Sequence, residues 1–303
     1  MASPRAETPT RPAIDFDGEF LKKLEILNVI AKKIMAGLLR ADRKSVRKGV
    51  SAEFADHRQY VAGDDPRYVD WHLFGRLEEV FLKLYREEEN LHLTILLDVS
   101  NSMNRGVHHK LNYALQLTAA LAYIGMSNMD SVNVLPFGGR IDDPRWGLKG
   151  RGKLFELFDY LKGLEPADDT NMAPVFREFI GRERRRGVVL VISDFYDMDG
   201  YQQALKYLRY QRHDVYVLHV MDQEEEQPDI RGDLRLLDSE LERYKQINVT
   251  DALLTRYRQA FEKLATDVER FCIRNEMGYV RARTNIPFDE LVLGILRRGG
   301  VVG

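Results

Sequence analysis

Two short apolar runs, each ending on an aspartate, most constrain what this chain can fold into. The first, Leu93-Thr94-Ile95-Leu96-Leu97, stops at Asp98 and continues as Val99-Ser100-Asn101-Ser102. The second, Val188-Val189-Leu190-Val191-Ile192-Ser193, stops at Asp194. Neither has helical spacing, and both are apolar on consecutive positions, the pattern of a strand buried on both faces of a parallel sheet. In open parallel sheets ligands bind in the crevice outside the carboxyl ends of the strands, so both carboxylates are expected at that edge. Asp98, Ser100 and Ser102 recur at every second residue, and a turning loop can bring three such oxygens to one point. Hard oxygen donors suit magnesium or calcium, not zinc or copper.

Around these runs, strands alternate with helices. Phe20, Leu24, Leu27, Ala31, Ile34 and Leu38 recur at three and four, which predicts an amphipathic helix docked on the core. Residues 80–85 alternate as a strand, and the charged run from Arg86 to Asn90 is expected to turn it back as an antiparallel hairpin beside the central strand. Residues 110–126 are apolar nearly all round, with Ala114, Ala119, Ala120 and Ala122 permitting close approach to a sheet. Strands are predicted at 131–137, 214–221 and 279–282, and helices at 154–161, 175–180, 204–210, 252–274 and 288–296. Gly187 is expected to stop the helix before it, Glu224-Glu225-Glu226 to be a solvated loop, and 234–250 to be irregular or a hairpin. The sum is an α/β fold with a doubly wound, mostly parallel sheet, Rossmann-like in outline. Residues 1–15 read as a polar disordered tail, 16–89 as a helical and irregular extension, and 90–303 as the sheet domain.

Composition excludes more than it proposes. A formal charge of −2 over 303 residues gives no global electrostatic reason to bind nucleic acid. Arg40, Arg43, Lys44, Arg47 and Lys48 lack interleaved aromatics and read as a solvated linker; the arginines from 182 to 186 are cations at a helix end. The single cysteine, Cys272, rules out an intrachain disulfide and reads as a buried apolar residue in a reducing compartment. No uncharged apolar run reaches membrane-spanning length, and the first residues carry no secretion signal, so a cytoplasmic protein without a membrane span is expected. The pair His108-His109 has no partners at zinc spacing, Asp197 and Asp199 read as a solvated loop, and no phosphate-binding Gly-x-x-x-x-Gly-Lys-Ser/Thr motif is present.

The Asp-x-Ser-x-Ser arrangement after a buried strand resembles the metal-ion-dependent adhesion site of von Willebrand factor A domains. In that family a threonine from a second loop and an aspartate after a later strand complete the site, and Thr170, following Asp168-Asp169, and Asp194 stand in that order here. The resemblance implies a magnesium, manganese or calcium site made of Asp98, Ser100, Ser102, Thr170 and Asp194, with an open position taken by a carboxylate of a protein partner.

Upstream lies Glu53-Phe54, then Arg58-Gln59-Tyr60, then Gly63-Asp64-Asp65-Pro66-Arg67-Tyr68-Val69-Asp70-Trp71. Gly-Asp-Asp-Pro is a turn signal, and Arg58, Arg67 and Arg76 face Asp64, Asp65 and Asp70 as an expected ion-pair network. This string resembles the signature of the domain of unknown function 58 family, which carries it before a von Willebrand factor A-like domain. Arg58, Tyr60, Gly63, Asp64, Asp65, Arg67, Asp70 and Trp71 are its candidate interaction or structural residues. Relatives of that kind are associated with MoxR-type AAA+ ATPases, which implies a binding protein, an adaptor or chaperone-like partner of such an ATPase, and not an enzyme. The alternative is a magnesium-dependent phosphotransferase with Asp98 as nucleophile; Ser100 stands where such sites carry their second aspartate.

Overall fold

The computed structural model describes residues 14–41, 53–86, 92–104, 109–128, 131–167, 170–197, 200–229, 232–237 and 244–297. Side chains are described for most of these, but not for 34–41, 53–56, 84–86, 233–237 or 244–247. Residues 1–13 of the expected tail, most of the basic linker, the acidic run at 87–90, and His108, Asp168, Asp169 and Asp199 lie outside the described residues; Ile14, expected in the tail, is instead buried in the apolar core.

In chain order the elements are α1 (Gly18–Ala41), β1 (Glu53–Gln59), α2 (Trp71–Leu77), β2 (Phe81–Arg86), β3 (His92–Asp98), α3 (Lys110–Ser127), β4 (Ser131–Phe137), β5 (Arg145–Leu148), α4 (Leu154–Lys162) and α5 (Met172–Arg182). They continue as β6 (Val188–Ser193), α6 (Tyr201–Tyr210), β7 (Asp214–Met221), α7 (Gln223–Glu226), β8 (Gly232–Leu237), β9 (Tyr244–Val249), α8 (Asp251–Arg274), β10 (Gly278–Arg283) and α9 (Phe288–Arg297). The chain divides into two units, one of residues 1–35 with 91–303 and one of residues 36–90.

In the larger unit six strands run in the order β10-β7-β6-β3-β4-β5. All neighbours are parallel except β4 and β5. Among the parallel strands, β3 is the first in sequence and β6 the third. They lie side by side, and the order reverses there, which makes the space beyond their carboxyl ends the switch point where such sheets bind ligands. Successive side chains of β3 enter opposite cores: Leu93, Ile95 and Leu97 pack with α1, α3, α4 and α9, while Leu96 packs with residues of α5, α6 and α8. Helices therefore cover both faces, and each fully buried aliphatic side chain contributes roughly 1.5–3 kcal/mol to the assembly.

Of the apolar stripe of α1, Phe20, Leu24, Leu27 and Ala31 dock as expected, with Leu24 and Ala31 fully buried and the Phe20 ring against Phe158 and Phe288, while the side chains of Ile34 and Leu38 lie outside those described. Helix α3 lies close on the sheet: its four alanines have no exposed surface, and a Cβ on Gly125 would press on Val132 and Leu93. The edge strand β5 was not legible, because two of its four residues face outward and no apolar run marks it. Residues 232–237 and 244–249 form the hairpin β8–β9.

Two expectations are corrected here. Gly187 does not stop a helix. Helix α5 ends at Arg182 with Glu183 as its cap, and Gly187 enters β6, where a Cβ would collide with the His92 carbonyl oxygen. Residues 81–86 do not form a hairpin beside the central strand. They pair with β1 in a separate antiparallel sheet, because the strand at 53–59 offers a complementary edge within the same unit.

In the smaller unit that sheet carries the turn predicted at Gly63, whose φ of 106° requires glycine. Arg58 holds Asp64 at 2.6 Å, Asp64 accepts from the Val61 amide at 3.0 Å, and Asp65 caps the turn Pro66–Tyr68 while pairing with Arg67 at 2.6 Å. Among the described residues Asp70 pairs with no arginine: it accepts from His57 Nε2 at 2.9 Å, lies 3.5 Å from Lys83, and caps α2 through the His72 and Leu73 amides. The aromatic rings of Trp71 and Phe74 are exposed and meet edge to face at 6.2 Å.

The hydrogen bond from His57, helped by the α2 amides and Lys83, holds the Asp70 pKa down at about 2. A carboxylate depressed below its ordinary value contributes stability above that value and loses it as pH falls through the folded pKa. The melting temperature of the wild type is therefore expected to drop between pH 4 and 2 more steeply than that of Asp70→Asn. Parallel acid curves for the two proteins would contradict this.

Candidate metal and partner-binding site

Asp98 is the last residue of β3 and has no exposed surface. Its Oδ1 accepts from the Ser100 amide at 2.9 Å, and its Oδ2 from the Ser193 hydroxyl at 2.6 Å. The carboxylate thus curls its own loop into a turn and ties the end of β3 to the end of β6. In that turn the Ser100 and Ser102 hydroxyl oxygens stand 3.0 Å apart. Two cis ligands of an octahedral ion bonded at 2.0–2.1 Å are separated by roughly 2.8–3.0 Å, so this pair already has the spacing of one edge of such a shell.

The loop carrying Thr170 is brought to the same edge by three tethers. The Ala167 amide donates to the Val99 carbonyl at 2.7 Å, and Ala167 bridges Ser100. The Asn171 amide donates to the Gly138 carbonyl at 3.2 Å, just beyond β4. The Met172 amide donates to Asp197 Oδ2 at 2.9 Å, beyond β6. Thr170 is half-buried between these anchor points. Asp197, expected only as part of a solvated loop, is therefore what joins the third loop to the second. A cleft of about 630 Å³ opens beside them, its walls including Val99, Gly138, Arg140, Asp142, Gly163 and Ala167.

Asp194 follows β6 and is 2% exposed. Its Oδ2 accepts from Lys110 Nζ at 2.8 Å, and its carbonyl accepts from His219 Nε2 at 3.0 Å. Since a carbonyl only accepts, the proton is on Nε2, and Nδ1 is left to accept from the Tyr279 hydroxyl at 2.9 Å. Burial pushes the His219 pKa down to about 4, so the ring is neutral.

Lys110, the first residue of α3, is the residue that sequence reasoning missed. Its side chain is completely buried, with the ammonium 2.8 Å from Asp194, 2.8 Å from Glu225 Oε1 and 4.6 Å from the centre of the Tyr196 ring. Burial works against its charge, but the two carboxylates outweigh burial and raise its pKa. Glu225, expected in a solvated loop, instead lies in the short helix α7 with its side chain 21% exposed, and also accepts from the Tyr196 hydroxyl at 3.1 Å. The available signal was a lone lysine opening an otherwise apolar helix.

Burial first, then the neighbouring Asp194 charge, push the Asp98 pKa up to about 7, against the hydrogen bonds from Ser193 and Ser100 that favour its ionised form. Among the described residues no three His, Cys, Asp or Glu side chains gather closely enough to hold a metal. A hard divalent ion here would rest on the hydroxyls of Ser100, Ser102 and Thr170 and on water, with Asp98 and Asp194 behind them supplying charge. That donor set suits magnesium, which keeps several of its waters, and the residues fit such an ion.

Fold and site together define an α/β protein with a doubly wound, mostly parallel sheet and a cluster of hydroxyls and carboxylates at its switch point. Residues 56–270 match the model of the family described as protein of unknown function DUF58, and the chain belongs to that family. Uncharacterized proteins of Mycobacterium bovis (strain ATCC BAA-935 / AF2122/97) and Mycobacterium tuberculosis (strain ATCC 25618 / H37Rv) are each 25% identical to it over 260 residues, 84% of this chain and 81% of theirs. Among solved structures, the conserved hypothetical protein BatB from Bacteroides thetaiotaomicron superposes with a TM-score of 0.42 at 16% identity, over 69% of this chain and 98% of that one. An aerotolerance-related membrane protein from Bacteroides fragilis NCTC 9343, carrying multiple mutations to serines, gives 0.43 at 18% identity, over 70% and 98%. Among the described residues of this chain, no helix is long and apolar enough to cross a membrane.

Proposed function

We propose that this chain is a cytoplasmic, von Willebrand factor A-like binding module that holds one magnesium ion, or manganese or calcium, and uses it to capture a carboxylate from a protein partner. The observation carrying this reading is the Ser100 and Ser102 hydroxyl pair, 3.0 Å apart on the turn that buried Asp98 imposes. The ion supplies Lewis acidity and an exchangeable position. Ser100, Ser102 and Thr170 present neutral oxygens toward it, and Asp98 and Asp194 balance its charge from below. The cleft lined by Val99, Gly138 and Ala167 gives the partner's backbone a place to lie beside the bound carboxylate.

Binding, not catalysis, suits these groups. Asp98 has no exposed surface and both its oxygens accept hydrogen bonds, so it is poorly placed to attack a phosphoryl group. By its resemblance to ATPase-associated relatives, the partner we favour is a MoxR-type AAA+ ATPase, with this chain as its adaptor or chaperone-like factor. In the smaller unit, Trp71 and the fixed turn around Arg58, Tyr60, Gly63, Asp64, Asp65, Arg67 and Asp70 offer a second contact surface for such a partner.

The test is titration of the intact protein with manganese, followed by electron paramagnetic resonance, together with co-purification of a MoxR-type ATPase in magnesium and in EDTA. One ion per chain, displaced by magnesium, and a complex lost in EDTA are expected. Absence of manganese binding at millimolar concentration, or a complex indifferent to EDTA, overturns the reading.

A further inference from the structure

Resting on the metal-binding reading above, we infer that Lys110 sets the charge of the site and so matches it to a divalent ion. The groups in contact at the ends of β3 and β6 form one buried cluster. Asp98 accepts at 2.6 Å from the hydroxyl of Ser193, the neighbour of Asp194; Asp194 bonds Lys110 at 2.8 Å, and Lys110 bonds Glu225 at 2.8 Å. Three carboxylates and one ammonium leave a net charge of −2 when all are ionised. Around them, His219 donates to the Asp194 carbonyl and the Tyr196 hydroxyl donates to Glu225, while Asp222 is bonded elsewhere, to the Glu224 amide and the Thr284 hydroxyl.

A fully buried ammonium at this point does two things. It occupies Asp194 Oδ2, so that aspartate acts on the ion as a restrained charge and not as a free ligand. It also links the site to α7 through Glu225, which would otherwise be a third uncompensated carboxylate in a medium where charges interact far more strongly than in water. Lys110 thus acts as a positioning residue that lowers the affinity for cations and keeps trivalent ions from being favoured. Glu225 acts in the opposite sense. The ion's attraction to each added or removed unit charge scales with its own charge, so a terbium ion feels either change half again as strongly as manganese.

A charge cycle tests this on the full chain, with manganese binding read by electron paramagnetic resonance and terbium binding by luminescence. Glu225→Gln keeps the shape and removes one negative charge; it is expected to weaken manganese by about tenfold and terbium by more. Lys110→Met is expected to tighten both, terbium again by more. The double variant, whose count returns to −2, is expected to come back within about threefold of the wild type for both ions. If Lys110→Met does not fold, Glu225→Gln and the double variant still decide the matter. Affinities for both ions within threefold of wild type in every folded variant overturn the role of Lys110 while leaving the metal site standing. A wild type that binds neither ion overturns the metal site itself.

Discussion

Asp98→Asn is expected to weaken manganese binding by roughly 100-fold and to abolish magnesium-dependent complex formation, while leaving the fold intact. The amide keeps an acceptor for the Ser100 amide or the Ser193 hydroxyl, each now within 2.9 Å of the carboxylate, but removes the charge that a divalent ion needs beneath it. The same variant should be more stable than the wild type when both are free of metal. A carboxyl whose folded pKa is raised to about 7 takes up protons on folding at every pH between its ordinary value and 7. Stability of the metal-free wild type therefore falls as pH rises across that window, and the cost is complete above it. Thermal melts at pH 8 in EDTA should place Asp98→Asn above the wild type, and added magnesium should reverse the order. A wild type whose melting temperature ignores magnesium, or a variant that binds manganese undiminished, would end this account of the site.

The second large effect is expected far from the site. Gly187→Ala should cost about 3 kcal/mol, because the added methyl group meets the His92 backbone, which cannot turn aside as a side chain can. Relief requires the start of β6 to part from the start of β3, and the Asp214 amide, which donates to the Gly187 carbonyl at 3.1 Å, ties β7 to the same point. For a unit of this size the corresponding fall in melting temperature is roughly 6–12 °C. Manganese affinity should barely change, since the loops we propose hold the ion lie at the opposite ends of these strands. A melting temperature within a degree or two of the wild type would show that the strand entrance is looser than the packing implies.

These two substitutions separate what could be read along the chain from what could not. Leu93 to Leu97 and Val188 to Ser193 announce buried parallel strands because burial on both faces demands consecutive apolar residues. Asp98 and Asp194 announce an edge because a carboxylate cannot continue such a run. The serines announce a turn of oxygens because their spacing is local. For the same reason, the other parallel strands and the helices covering them could be placed from their own periodicity, though β5 could not, and Cys272 read as buried.

The tertiary structure decided the matters that depend on distant partners. Gly187 looks like a helix stop until β3 is seen to press against it. Asp197 looks like a loop acid until the Met172 amide is found on it. Lys110 and Glu225, 115 positions apart in the sequence, look like a stray cation and a solvated acid until β6 and β7 end beside the start of α3 and bring them to 2.8 Å. Local spacing encodes how one segment hydrogen-bonds and which faces it buries. The sign and number of charges enclosed in a buried site depend on which chain ends the sheet order brings together.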